Sequence, residues 1–329
     1  MITLYDTATG SLNLGDQIIM QAVIKQLEVL FEQETFIQYP THYPMSKYAA
    51  NKAWKNSLAF VGGTNILQSH WEIKPKKNQW AIGFFESFKM QPAILFGCGW
   101  QSYNEKTTFK AKKFYENSLS SKFLHSVRDS YTAERLKEIG VKNVLNTACP
   151  TMWGMDRDFI DTVRTKKSNT VVFTLTDYNK NYDLDIKLIK ILLSNYNNIY
   201  FWPQGHEDLS YFKELSEIDN HMERSLINIL PHNLNCYDDL LLNEEVDFVG
   251  TRLHAGIRAI QHKQRSIIIG IDNRALEMSK DFDLPVVNRT ELGCLEEIIV
   301  KDQKLNISIP VESIKKWRNQ FYYLKFDHS

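Results

Sequence analysis

The sequence predicts an α/β fold: two Rossmann-like domains facing each other across a cleft, with a C-terminal helix. Short β-rich apolar runs alternate with longer stretches of helical period, the pattern of layers built on a mainly parallel sheet. The alternation restarts in the second half of the chain. At 329 residues the chain is also longer than the roughly 100–200 residues of one typical domain.

In the first half the apolar runs are 2–7, 58–61, 93–96, 123–127 and 144–147, with helices expected at 16–31, 109–119 and 130–139. Within the first helix Ile19, Ala22, Val23, Leu27 and Leu30 recur at the spacing of one buried stripe. In the second half the runs are 170–174, 199–202, 246–249, 266–269 and 285–287. The clearest helix there is 183–196, where Leu184, Leu188, Ile191 and Leu192 share a face. Residues 155–169 are polar and without period, which places the junction between an N-terminal domain (1–160) and a C-terminal domain (161–329). The last segment, 311–326, sets Ile314, Trp317, Phe321 and Leu324 on one helical face, with Lys315, Lys316, Arg318 and Lys325 among the rest. Two readings stand: a helix docked back on its own protein, or a basic amphipathic helix on a membrane surface.

Composition narrows the function classes. Lys+Arg and Asp+Glu are both 39, a formal net charge of zero, so no global field favours nucleic acid as a partner. Hydrophobic residues at 43 % and charged residues at 24 % are those of a globular chain. The cysteines Cys98, Cys149, Cys236 and Cys294 form no CxxC pair, so neither a zinc knuckle nor a dithiol motif is spelled out, and a reducing cytosol fits. The N-terminus lacks a basic region followed by an apolar run, and nothing approaches the ~18 apolar residues of a membrane span. A cytoplasmic protein is expected, with association at the inner face of the membrane left open.

Ligands of open α/β sheets bind outside the carboxyl ends of the strands, so polar residues directly after a strand are the first candidates. The loop Ala8-Thr9-Gly10-Ser11-Leu12-Asn13-Leu14-Gly15-Asp16 offers backbone N–H groups to an anion or sugar; equally it is a plain turn with Asn13 or Asp16 capping the helix. Gly62-Gly63-Thr64-Asn65 permits close ligand approach, or simply a turn. Gly97-Cys98-Gly99 carries a thiol without a recognisable base, which reads as a small buried side chain. Arg128, in Ser126-Val127-Arg128-Asp129, brings a fork suited to carboxylate or phosphate, or a salt bridge to Asp129.

The most informative place is Gly250-Thr251-Arg252-Leu253-His254-Ala255, followed twenty residues later by Gly270-Ile271-Asp272-Asn273-Arg274. One strand–helix–strand step spans that distance, so His254 and Arg274 are expected in neighbouring loops on one sheet edge. A proton-exchanging histidine would then stand beside an anion-holding arginine. Arg252 either joins them or braces the turn against Asp247, Asp272 or another carboxylate. Gln204 and His206, in Trp202-Pro203-Gln204-Gly205-His206, are read as cleft lining. No GxGxxG, Walker A, HExxH or GxSxG stands in these loops, which disfavours nicotinamide redox, P-loop, zinc-protease and α/β-hydrolase chemistry.

At these residues the chain resembles the polysaccharide pyruvyl transferases. The matching pieces are Asn13-Leu14-Gly15-Asp16, Gly62-Gly63, Ser126-Val127-Arg128-Asp129, Cys149-Pro150-Thr151, Trp202-Pro203-Gln204-Gly205 and Gly250-Thr251-Arg252-Leu253-His254-Ala255. They fall in the family's order across nearly the whole chain. The resemblance implies a fold like the GT-B glycosyltransferases and phosphoenolpyruvate as co-substrate; arginine forks and helix N-termini could bind its carboxylate and phosphate, so no further cofactor and no metal is expected. Its enolpyruvyl group would be added to a sugar diol as a cyclic ketal, with release of phosphate. By the same resemblance His254 looks like the acid–base residue and Arg128 a donor-binding arginine. The family commonly has lysine where Arg274 stands, and more glycines at Thr64-Asn65. Arginine keeps the charge but donates no proton, so Arg274 fits phosphate holding. The acceptor is expected to be a glycan, a nucleotide sugar or a lipid-linked sugar. Two other readings remain: a glycosyltransferase using a nucleotide sugar, and a non-catalytic glycan-binding relative.

Overall fold

Four parallel strands, β1 (Ile2–Asp6), β2 (Phe36–Pro40), β3 (Leu58–Gly62) and β4 (Ile94–Phe96), form the first sheet in the order β2-β1-β3-β4. The computed structural model describes residues 1–73, 79–103, 105–219, 224–322 and 324. β5 (His125–Val127) and β6 (Val144–Asn146) pair in parallel. A bridge between Cys98 and Val127, and the Gly97 N–H donated to the Ser126 carbonyl at 3.0 Å, attach them beyond β4. β1 and β3 are buried along their whole length, as strands covered on both faces must be. The strand order changes direction between β1 and β3, and the loops after these two strands carry the candidates of this half.

The second sheet is parallel throughout and holds β7 (Thr170–Phe173), β8 (Asn198–Phe201), β9 (Ile227–Ile229), β10 (Asp247–Gly250), β11 (Ser266–Gly270) and β12 (Val286–Asn288). Its order, β12-β11-β10-β7-β8-β9, is that of a Rossmann sheet, with the switch point between β7 and β10. Gly250 lets these two strand ends close up, since a Cβ there would meet the Thr174 backbone nitrogen at 2.5 Å. The helix Leu253–Gln261 lies on the sheet through Gly256, where a Cβ would stand 2.4 Å from Ile268.

Two compact units divide the chain. One comprises Met1–Ser11, Asp16–Trp153 and Ile309–Ser329; the other comprises Leu12–Gly15 and Gly154–Ser308. The C-terminal helix, expected with the second domain, therefore belongs to the first unit. In the helix Val311–Asn319 Trp317 stacks on Phe96 with ring centroids 4.4 Å apart, and just beyond it Phe321 meets Phe31 and Phe60 at 5.4 and 5.5 Å. Ile314, Trp317 and Phe321 are buried. The apolar stripe is thus spent on the protein's own core, and the membrane-surface reading of this helix loses its apolar face. An amphipathic stripe states that a face is covered, not by what. Lys325 lies outside the described residues.

The expected strands and helices fall where the runs and stripes placed them, with ends shifted by a residue or two, except that the last helix, expected over 311–326, ends at Asn319 and leaves Phe321 and Leu324 beyond it. Two strands are additional, β2 and β9. Among the described residues no helix is long and apolar enough to cross a membrane.

Candidate active site

In the first unit the candidates stand at the carboxyl ends of β1, β3, β4 and β5. After β3 the chain turns through Gly63 and Thr64, both left-handed, with φ of 57° and 54°. That backbone suits glycine and strains a β-branched residue. Thr64 is held there by donating its hydroxyl to Asp16, in the first helix, at 3.0 Å. Asp16 in turn accepts from the Ser11 hydroxyl at 2.6 Å, so the loops after β1 and β3 are tied through one carboxylate.

Arg128 is buried directly after β5. Its Nε donates to Asp129 at 3.0 Å and its Nη2 to Asn65. The salt bridge to Asp129 is present, and the same carboxylate also caps the following helix, accepting the Thr132 N–H at 2.7 Å. Space for the guanidinium comes from Gly99, where a Cβ would fall 2.2 Å from Arg128 Cζ. Cys98 lies alongside, its thiol pushed up to about 12 by burial. It packs as a small buried side chain.

In the second unit three loops converge beyond β7, β8 and β10. The Thr251 N–H donates to the Thr174 carbonyl at 3.1 Å, and the Thr176 and Thr251 hydroxyls meet at 2.8 Å. Arg252 then reaches across both neighbours. It grips the Asp208 carboxylate with Nε, at 3.0 Å, and with Nη2. Nη2 also donates to Asp177 at 2.6 Å, and Nε to the Leu175 carbonyl at 3.1 Å. Burial alone would weaken this cation; Asp208, Tyr178 and Asp177 outweigh it and raise its pKa, so Arg252 stays charged. Two carboxylates for one guanidinium make Arg252 a brace. These contacts fit the bracing alternative, with Asp208 and Asp177 as the partners, because Asp247 is taken by Arg164 and Arg265.

His254 follows in the first turn of the helix that Arg252 begins, and it is buried. Arg274 lies in the first turn of the helix Asn273–Phe282 that follows β11, the strand paired with β10 through Val249↔Ile267 and Gly250↔Ile268. The two residues therefore do follow neighbouring strands. Arg274 binds Asp272, with Nε to Oδ2 at 2.9 Å, and also donates to the Tyr178 hydroxyl. Burial opposes its charge, but Tyr178 and Asp272 raise its pKa. The Tyr178 ring lies between two guanidinium groups, 5.0 Å from Arg252 Cζ and 5.6 Å from Arg274 Cζ. Arg289 and Asn179 anchor this turn: Arg289 donates to the Asn179 carbonyl and side chain at 2.7 and 2.8 Å, and Asn179 to the Ile271 carbonyl at 2.8 Å.

Asn13 and Gly15 join this second cluster. Asn13 bridges Gly205, its side chain accepts the Gly15 N–H at 3.1 Å, and it accepts from Gln204 Nε2 at 2.9 Å. A Cβ on Gly15 would stand 2.7 Å from that Gln204 nitrogen. His206 behaves otherwise: it is exposed, with Glu207 3.7 Å away, and holds no member of the cluster.

Sequence reasoning missed Asp177, Tyr178 and Asp208. The strand-end rule that selected the other loops also applies to the loop after β7, where Asp177-Tyr178 stands. Asp208 stands two residues after His206, and only the fold brings it onto Arg252. Among the described residues no group of three or more His, Cys, Asp or Glu side chains is arranged to hold a metal ion.

The sequence profile of the polysaccharide pyruvyl transferases matches residues 13–273. The matched span takes in every candidate from Asn13 to His254 and stops one residue short of Arg274. No curated protein matches the chain in sequence. Among solved structures, Methanocaldococcus jannaschii UDP-GlcNAc 2-epimerase in complex with UDP-GlcNAc and UDP superposes with a TM-score of 0.53 at 12 % identity, covering 98 % of this chain and 99 % of that one. The UDP-GlcNAc 2-epimerase of Neisseria meningitidis bound to UDP-GlcNAc gives 0.46 at 11 % identity, over 96 % and 99 % of the two chains. The wall teichoic acid polymerase TagF gives 0.41 at 13 %, over 98 % and 82 %. At such identities the first likeness shows the fold alone, an α/β architecture of the GT-B kind.

Proposed function

Because the chain belongs to the polysaccharide pyruvyl transferase family, a family of transferases, we propose that phosphoenolpyruvate is its donor. The enolpyruvyl group would pass to a sugar diol of a glycan or glycan precursor as a cyclic ketal, with release of phosphate. The observation that carries this reading is the family match itself, whose span, residues 13–273, takes in Arg128, Arg252 and His254.

The atoms balance without a resident cofactor. The donor methylene takes a proton and becomes a methyl group, leaving an oxocarbenium-like centre at the adjacent carbon. One sugar hydroxyl attacks that carbon, and the second forms the other C–O bond as the C–O bond to phosphate breaks. Of the two hydroxyl protons released, one replaces that spent on the methyl group and one leaves with phosphate. His254 is the acid–base group, giving the proton to the methylene or taking it from the attacking hydroxyl. Arg128 in the first unit, balanced by Asp129, and Arg274 in the second, balanced by Asp272, each carry a fork of the kind suited to a carboxylate or a phosphate. Arg252, saturated by Asp208 and Asp177, fixes the turn from which His254 projects.

The test is phosphate release from phosphoenolpyruvate with a panel of glycans, nucleotide sugars and lipid-linked sugars as acceptors. His254→Asn is expected to lower turnover on the order of 10²–10⁴-fold while the protein stays folded. Unchanged turnover in that variant would remove His254 from the chemistry. Glycosyl transfer from a nucleotide sugar, with phosphoenolpyruvate inert, would instead support the second reading, suggested by the fold shared with an epimerase that binds UDP-GlcNAc.

A further inference from the structure

We propose that the first unit carries a docking surface for an anionic membrane, formed by residues 43–55 and 82–90. This goes beyond the transfer reaction, since it concerns where the protein works and does not depend on the donor. Five aromatic side chains of these segments, Tyr43, Tyr48, Trp54, Phe85 and Phe88, are each between 49 % and 71 % exposed. Large side chains scattered singly over a surface need no explanation, but a cluster does.

The two segments form one face. Trp54 Nε1 donates to the Lys89 carbonyl, and Phe84 links the later aromatics, 5.5 Å from both Phe85 and Phe88. Between the segments lies a hollow of about 390 Å³ with Met45, Ile82 and Met90 in its lining and Lys47 and Lys89 beside them. Lys47, Lys52, Lys55 and Lys89 are exposed residues of these segments; the acids are Glu86, whose carboxylate accepts the Gly83 N–H at 2.7 Å, and the neighbouring Glu72, whose carbonyl accepts the Phe84 N–H at 3.1 Å. A chain of zero formal net charge therefore sets four lysines against two glutamates, a local excess of two positive charges, around exposed aromatic rings. Lys52 lies 5.2 Å from the centre of the Tyr48 ring, an arrangement in which the aromatic body enters the headgroup region while the ammonium stays at phosphate level. Charge complementarity selects an anionic bilayer as the occupant.

The experiment is co-sedimentation of the full chain with phosphatidylglycerol/phosphatidylcholine vesicles, against phosphatidylcholine vesicles alone. The protein is expected to sediment with the anionic vesicles and to be released by high salt. Lys47→Gln/Lys52→Gln/Lys89→Gln should weaken partition on the order of 10²-fold, and Phe85→Ser/Phe88→Ser by about tenfold or more, with thermal melting unchanged in both. The proposal is overturned if the unsubstituted protein stays in the supernatant, if the lysine variant binds as well as the parent, or if the face instead holds two copies of the chain together and binds no vesicle.

Discussion

A Cβ on Gly205 would stand 2.1 Å from Arg252 Nη2, so the turn after β8 and the side chain from the loop after β10 share space that only glycine leaves free. Arg252 cannot swing aside, because Asp208 and Asp177 hold it. The segment that carries His254 is thereby locked to two other strand ends. Gly205→Ala is expected to cost about 1–3 kcal/mol from overpacking. Arg252→Met, which leaves Asp208 buried without its cation, should cost about 3–5 kcal/mol. Adding Asp208→Asn should recover part of that loss, and urea unfolding of the four corners of this cycle measures the coupling. Additive losses would mean the pair does not brace the site.

Thr64 occupies a left-handed backbone that costs a non-glycine residue roughly 1–2 kcal/mol, offset in part by its bond to Asp16. Thr64→Gly relieves the strain and loses the bond, so its stability should stay within about 1 kcal/mol of the parent. Thr64→Val keeps the strain, loses the bond and should be clearly less stable than the glycine variant. Equal stability of the two variants in denaturant titrations would contradict this account of the turn.

His125 predicts a pH dependence. It is fully buried in β5, with Nδ1 accepting the Leu95 N–H at 3.1 Å and Nε2 2.9 Å from the Ser120 carbonyl. That pairing requires the neutral ring. Burial, partly opposed by Ser120, lowers its pKa to about 4, against about 6.5 in an unfolded chain. The unfolded state therefore binds the extra proton first, and stability falls as pH drops from about 6.5 to about 4, by on the order of 3 kcal/mol. Glutamine can offer an acceptor and a donor without titrating. His125→Gln should therefore remove that part of the slope when unfolding is compared at the two ends of the window; a slope identical to the parent's would refute it.

Central strands were legible because burial on both faces makes them continuous apolar runs, as in β1, β3, β10 and β11. β2 and β9 escaped for the converse reason. They are the edge strands of their sheets, and their burial is partial or nearly absent, so their composition carries little apolar signal. The positions of the candidates were legible where a residue's place follows from the end of its own strand, as for Arg128, His254 and Arg274. What was hidden is pairing: Arg252 finds Asp208 and Asp177 only because β10 and β8 both flank β7. The division of the loop after β1, with Leu12–Gly15 in one unit and its flanks in the other, has no local sequence signal either.

The most direct test of the account is a calorimetric titration of phosphoenolpyruvate into the parent protein and into Arg128→Ala and His254→Ala, with a nucleotide sugar as the control ligand. The account predicts that the parent binds phosphoenolpyruvate, that binding is lost with Arg128, and that the nucleotide sugar does not substitute for it as donor ligand. A parent protein that ignores phosphoenolpyruvate and binds the nucleotide sugar would contradict it.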